Sequence, residues 1–284
     1  MAQMCWEEVG SQFRLVCPPF GGVIDPSRPG CGLHELEIEG RKLSGSHLLG
    51  IRWLTPHQSC TATLRLDSSE ELARRGGCVL RDCWTCGCDL LAEYVPQVGE
   101  DASLVVRWRA VANSDNSCPG PLTIDVLLSL QSLEFETYAR VCVASMVETA
   151  EVWVPSDQGG TQLRILGLAE DFAGGQVPLS VIKVSRNGWW YQEMAHPHDI
   201  SAAGVQWRKV SCETQSAGST SDPTMQSVSS GYLGTWYRLF SDRVERGLIV
   251  RARVRGRFFK AESPAAHWLK GWEAFVNASV PLGD

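Results

Sequence analysis

Apolar residues recur at every second position along much of the chain, and that rhythm constrains the fold more than any other feature. Leu36 and Ile38 alternate with Glu35, Glu37 and Glu39. Leu104, Val106, Trp108 and Ala110 alternate with Val105, Arg107, Arg109 and Val111. Successive side chains of an extended strand point to opposite faces, so each such segment reads as a strand with one face on a core. Residues 62–66, 134–147, 152–154, 163–166, 179–184, 205–210, 235–240 and 248–259 read as further strands. Residues 122–132 are nearly all apolar at their centre, which predicts a strand covered on both faces.

Helical signal is confined to two places. Ser68-Ser69-Glu70-Glu71 fits a capping box ahead of Leu72-Ala73-Arg74-Arg75. Ser263-Pro264 fits an N-cap followed by proline at the first helical position. Trp268, Leu269, Trp272, Phe275 and Val276 then share one helical face. Residues 113–121, 156–160 and 213–231 are polar and rich in turn formers, and read as loops. Many strands with few helices predict a mostly β fold: a large antiparallel β-sandwich or supersandwich with one or two short helices, forming a single domain over residues 1–284.

Composition excludes several functions. A net charge of −6 argues against a nucleic-acid binder. No run of about 18 apolar residues occurs, so no membrane span is expected. The opening Met1-Ala2-Gln3-Met4-Cys5-Trp6-Glu7-Glu8 has neither a basic nor an apolar signal region, which predicts a cytoplasmic location. The 11 cysteines are then expected to be reduced. Cys78 and Cys83-Trp84-Thr85-Cys86-Gly87-Cys88 hold enough thiols for zinc or a redox pair. No second tight pair exists elsewhere, and Cys86 and Cys88 fit a strand, so no metal is expected. Phosphate-binding and dinucleotide-binding glycine patterns are missing, as is a nucleophile elbow, and no cofactor is expected.

The densest chemical cluster is Trp189-Trp190-Tyr191-Gln192-Glu193-Met194-Ala195-His196-Pro197-His198-Asp199. His196, His198, Glu193 and Asp199 are candidates for acid–base work, because imidazole titrates near neutrality. Trp189, Trp190 and Tyr191 are candidates for stacking on a sugar ring. Tyr191, Glu193 and Ala195 would share one face, and Pro197 would end the strand. The same residues equally fit a strand ending in a loop held by local turn hydrogen bonds. A second feature is an arginine ladder: Arg251, Arg253, Arg255 and Arg257 fall on one face of a strand. Arg251 and Arg253 are candidates for gripping an acidic sugar. Alternatively, the ladder pairs with the acidic ladder Glu35, Glu37 and Glu39 across neighbouring strands.

A long β domain with antiparallel strands, scattered Trp and His, and a late arginine-bearing strand resembles the galactose-mutarotase-like supersandwich superfamily. The resemblance implies a sugar-binding sheet face and, in some members, epimerase, lyase or glycosidase activity. The Asn-His-x-x-Phe-Asn-type segment of the aldose epimerases is absent, and His196-Pro197-His198-Asp199 is not that motif, so no catalytic role carries over. The residues 248–256 and the His-Pro segment are also similar to a bacterial family without an assigned mechanism. The function expected is carbohydrate binding, with sugar epimerase-like or other carbohydrate-directed chemistry in reach and a sugar or acidic saccharide as partner. A non-catalytic interaction or scaffold protein is the alternative.

Overall fold

A computed structural model describes residues 5–54, 77–97, 102–112, 122–133, 136–137, 139–149, 152–155, 163–165, 180–184, 188–209, 231–240, 244–260 and 264–278. Two large antiparallel sheets face each other. The first contains β1 (Cys5–Val9), β2 (Gln12–Cys17), β3 (Phe20–Ile24), β4 (Leu33–Ile38), β6 (His47–Leu54), β12 (Arg140–Thr149), β18 (Gly231–Leu239) and β17 (Ile200–Lys209), in that spatial order. The short β5 (Arg41–Lys42) pairs beside β4. The second sheet runs β14 (Leu163–Ile165), β13 (Val152–Pro155), β15 (Ser180–Val184), β16 (Trp189–Ala195), β20 (Ile249–Lys260), β10 (Leu122–Ser132), β9 (Ala102–Ala112), β8 (Asp89–Pro96) and β7 (Cys78–Cys86). A minimal pair, β11 (Glu136–Thr137) with β19 (Val244–Glu245), lies apart. One helix, α1 (Pro264–Asn277), follows β20. Among the described residues no helix is long and apolar enough to cross a membrane.

The two-residue rhythm explains where the core sits. Leu104, Val106, Trp108 and Ala110 of β9 are buried, while Arg107 and Arg109 are part-exposed on the opposite face. Ile124, Val126, Leu128 and Leu130 of β10 and Val254 and Phe258 of β20 join them. From the first sheet come Phe13, Leu15, Leu33, Leu36, Ile38, Val141 and Val143, all in the same apolar cluster. Strand β10 is buried on both faces along Leu122–Leu128, as its composition requires. Fully burying one such Leu, Ile or Phe contributes roughly 1.5–3 kcal/mol.

Two details set the inter-sheet geometry. Leu49 in β6 is buried yet takes φ +57°, a conformation costly for a residue with a Cβ. Its N–H donates to Ser145 Oγ at 2.8 Å, and the β6–β12 ladder shifts register between Ala144 and Met146. The result is a bulge that turns Ser145 into the interior. At the other end, Lys260 of β20 reaches Glu39 beyond β4 at 2.5 Å, tying one sheet to the other.

The acidic ladder expected to face the arginines lies elsewhere. Glu35 and Glu37 sit in β4, in the first sheet, and Glu39 just beyond it, whereas Arg251, Arg253, Arg255 and Arg257 sit in β20, in the second. Strand β20 pairs with β10 and β16 instead. The helix expected at residues 72–75 and the strand at 62–66 lie outside the described residues.

Candidate functional site

Strand β16 splits the sequence cluster between two environments. Trp189, Tyr191, Glu193 and Ala195 point between the sheets and are all buried. Glu193, with 0% exposure, accepts from three hydroxyls: Tyr191 Oη at 2.6 Å, Ser145 Oγ and Thr235 Oγ1. The carboxyl therefore cross-links β16 to β12 and β18. Gly256, opposite Glu193 on β20, leaves room for the Tyr191 ring: a Cβ there would lie 2.6 Å from Tyr191 Oη.

The opposite face of β16 carries Trp190, Gln192, Met194 and, past the strand end, His196. This outer face is partly covered by α1. Gln192 Nε2 donates to the Trp268 carbonyl at 3.1 Å, and His196 Nε2 lies 3.4 Å from the Val276 carbonyl. At the turn, Asp199 N–H donates to His196 O, and His198 N–H donates to His196 Nδ1. Asp199 Oδ2 accepts from the backbone N–H of Arg253 at 2.9 Å. Burial pushes the Asp199 carboxyl above its usual range, against the Arg253 hydrogen bond and the neighbouring histidines. The structure thus brings His196, His198, Asp199 and Arg253 together at the C-terminal end of α1, and separates Glu193 from the histidines. Trp189 packs edge-on against Phe20, while half-buried Trp190 stacks on Phe259. Arg251 is exposed.

The arginine ladder lies on the same outer face, and among the described residues Arg255 pairs with an aspartate of the adjacent strand. Arg255 is opposite Asp125, Asp125 opposite Arg109, and Arg109 opposite Asp89. The four side chains form one alternating row across β20, β10, β9 and β8. Arg255 grips Asp125 through two bonds, at 2.5 and 2.7 Å. Arg109 grips Asp89 at 2.9 and 3.1 Å, and Arg107 reaches the same carboxylate at 3.0 Å. Such bidentate contacts fix the guanidinium planes. The next row, two residues along each strand, contains Arg253, Leu127, Arg107, Leu91 and Trp84. Trp84 is 41% exposed.

Helix α1 walls this face on one side. Arg253 Nη2 donates to the Phe275 and Ala278 carbonyls, and its guanidinium lies 4.3 Å from the Phe275 ring centroid. Arg255 lies 5.2 Å from the same centroid. Desolvation holds the Arg253 and Arg257 pKa values below the ordinary arginine range. Beyond α1, Leu91, Arg107 and Arg109 are part-exposed and Trp84 is exposed, while Thr123, Asp125 and Leu127 of β10 are buried.

Sequence reasoning missed Trp84, Asp89 and Asp125 as site residues, and assigned no role to Arg107 and Arg109. Asp125 left a signal: it is the one charge in the apolar run 122–132. The Arg107/Arg109 alternation was visible too, but its partners lie on strands that periodicity cannot order.

The cysteine-rich stretch is the β7–β8 hairpin. Cys86 and Cys88 are exposed around Gly87, which takes φ +60° in the turn. Cys78 is buried, and that burial pushes its thiol up to about 12. Among the described residues no group of three His, Cys, Asp or Glu is placed to hold a metal.

No family model and no curated protein matches the chain. Solved structures do match it in architecture. A galactose mutarotase-like protein from Clostridium acetobutylicum superposes with a TM-score of 0.48 at 7% identity, over 91% of this chain and 98% of that one. An alpha-N-acetylgalactosaminidase from Bifidobacterium bifidum, solved as a GalNAc complex, gives 0.46 at 13% identity. A heparan sulfate lyase from Pedobacter heparinus gives 0.39 at 7%. The chain spans only 39% and 37% of those two enzymes. The likeness is one of architecture.

Proposed function

We propose that the chain binds saccharides on the outer face of the second sheet, between Trp84 and the wall formed by α1. The observation that carries this reading is the row Asp89–Arg109–Asp125–Arg255. Sugar hydroxyls both donate and accept, and they are recognised best by donors and acceptors already fixed in place. Pairing with buried Asp89 and Asp125 holds the part-exposed guanidinium edges in fixed orientations, as donors to sugar hydroxyls. Arg107, Arg109 and Arg255 keep part of their surface open to solvent. Trp84 adds an exposed flat apolar face for the C–H side of a ring.

Among the acid–base candidates, His198 and Asp199 adjoin this face and are the pair suited to chemistry on a bound sugar. Glu193, enclosed between the sheets, has a structural part in this reading, as do Trp189 and Tyr191. Calorimetric titration against a panel of neutral and acidic mono- and oligosaccharides tests the proposal. Heats of binding that are lost in Trp84→Ala support it; null heats throughout, at millimolar ligand, refute it.

The rival reading, a non-catalytic interaction protein, draws on Leu133, Leu248 and Ile249. These are exposed near one another, where Gly247 N–H bonds to Ser132 O at the ends of β10 and β20. It predicts a protein partner whose binding is lost in Leu248→Ser, and no saccharide heats.

A further inference from the structure

The β7–β8 hairpin gathers four cysteines, and their surroundings sort them. Cys78 is buried, and its thiol is pushed up to about 12. Cys83 lies opposite buried Ala92 and packs against the main apolar cluster. Burial, with Asp82 and Glu8 nearby, pushes its thiol up as well. A thiol held in its protonated form is a poor nucleophile. Cys86 and Cys88 stand in a different setting: both are exposed, on either side of Gly87 at the hairpin tip. A Cβ at Gly87 would meet nothing within 4 Å among the described residues, so the tip is open to reagents from solution.

The turn also holds these two cysteines within reach of a bridge. Cys86 pairs opposite Asp89, so Gly87 and Cys88 form a two-residue turn. Consecutive Cα atoms lie about 3.8 Å apart. A chain that reverses over two residues therefore brings the Cα atoms of Cys86 and Cys88 to about 5.5 Å, inside the roughly 4.4–6.8 Å that a disulfide spans. Trp6 Nε1 donates to the Cys88 carbonyl at 3.1 Å, which anchors the turn to β1. Closing a bridge then moves Cys86 toward an anchored Cys88.

We infer that Cys86 and Cys88 are a redox pair that closes reversibly to a disulfide by exchange with small-molecule disulfides, and that closure draws Cys86 from its place opposite Asp89. One cysteine thiolate attacks the small disulfide, forms a mixed disulfide and expels one thiolate. The second cysteine thiolate attacks the protein sulfur of that mixed disulfide, closing the bridge and releasing the other thiolate. Two protein thiols are oxidised, one small disulfide is reduced to two thiols, and the two cysteine protons pass to the released thiolates. Excess small thiol drives the same steps backward. Closure reaches the outer face, because Asp89 holds Arg107 and Arg109. Trp84 lies on the same side of β7 as Cys86, about 6.6–6.8 Å along the strand. The exchange needs no sugar and is independent of the saccharide reading.

The test equilibrates the full chain in glutathione buffers of graded oxidised-to-reduced ratio, quenches with acid, alkylates and maps the bridge by peptide mass spectrometry. A Cys86–Cys88 disulfide should form in the oxidised buffers and reopen in excess reduced glutathione. Cys86→Ser and Cys88→Ser should each stop at the mixed disulfide with glutathione, while Cys17→Ser, on the first sheet, should leave the bridge unchanged. Both tip cysteines are exposed, so these substitutions separate redox chemistry from folding. Tryptophan emission should shift on closure in the parent, and by clearly less in Trp84→Phe. Mixed disulfides at both cysteines without a bridge, a bridge from either one to Cys78 or Cys83, or a bridge that excess thiol does not reopen overturns the redox pair. An emission shift equal in the parent and in Trp84→Phe overturns the displacement at the outer face.

Discussion

Glu193 has no exposure, and three hydroxyls solvate its carboxyl. Each of those donors is buried, and leaving a buried donor unmet costs about 1–3 kcal/mol. Glu193→Leu should therefore destabilise the chain by about 3 kcal/mol or more in urea unfolding, and Glu193→Gln by less, since an amide oxygen still accepts. Equal stability of Glu193→Leu and the parent would refute the cross-linking role. Titration adds a second residue-level expectation. Burial pushes the Cys78 thiol up to about 12 from an ordinary value of 9, and pushes the Tyr94, Tyr191 and Tyr237 hydroxyls well above 10. The folded chain then holds these protons longer than the unfolded one does. The Cys78 contribution is complete below pH 9 and is lost as pH rises from 9 to about 12, at about 1.4 kcal/mol per pH unit, and the tyrosine contributions are lost as pH rises above 10. Urea midpoints should fall steadily above pH 9, and Cys78→Ala should flatten the fall between pH 9 and 10.

The cross-strand pair Arg255–Asp125 is an element-level device, joining β20 to β10 under the edge of α1. Asp125 is almost fully buried. Removing one partner of a buried pair strands the other charge, at a cost of about 3–5 kcal/mol, whereas replacing both with apolar residues is often near neutral. Asp125→Ala should unfold at markedly lower urea than the parent, and Asp125→Leu with Arg255→Met should recover most of the loss. Failure of the double substitution to recover would mean that the row does more for the sheet than pair with itself. Close backbone approach matters at this scale too. Gly50 in β6 lies against the turn at Gly30, where a Cβ would meet the Gly30 carbonyl oxygen at 2.4 Å. A rigid backbone cannot yield, so Gly50→Ala should be strongly destabilising.

Elements were legible in the sequence where only one of their faces is buried. β9 and β20 show their pleat directly, because Arg107, Arg109 and the β20 arginines alternate with apolar residues. The α1 face was legible for the same reason, with Trp268 and Phe275 both buried. Strand β6 escaped notice because it is buried almost throughout, with Arg52 among its enclosed residues, so no alternation marks it. The N-terminal strands β1 to β3 are short and broken by glycine and proline turns. Within the site, periodicity placed Tyr191, Glu193 and Ala195 on one face. It could not show that this face is interior and that the histidines lie on the other, nor that Asp89 and Asp125 answer the arginines. Strand order, which brings residues 89, 109, 125 and 255 into one row, is long-range information that no local pattern carries.

At the scale of the molecule, one apolar cluster draws on both sheets, from Trp6 to Phe258. We propose that residues 1–284 unfold as one domain, which predicts a single cooperative transition with coincident tryptophan-fluorescence and circular-dichroism midpoints. We propose that recognition takes place on the outer face of the second sheet, where α1 walls one side and Trp84 and the part-exposed Arg107 and Arg109 stand at the other. A crystal of the chain grown with the saccharide that gives the strongest heat in the calorimetric panel measures this most directly. The account predicts sugar density on the outer face of the second sheet, with a ring against Trp84 and hydroxyls within hydrogen-bond reach of Arg107 or Arg109. A sugar held on the first sheet, or between the sheets at Glu193, would contradict it.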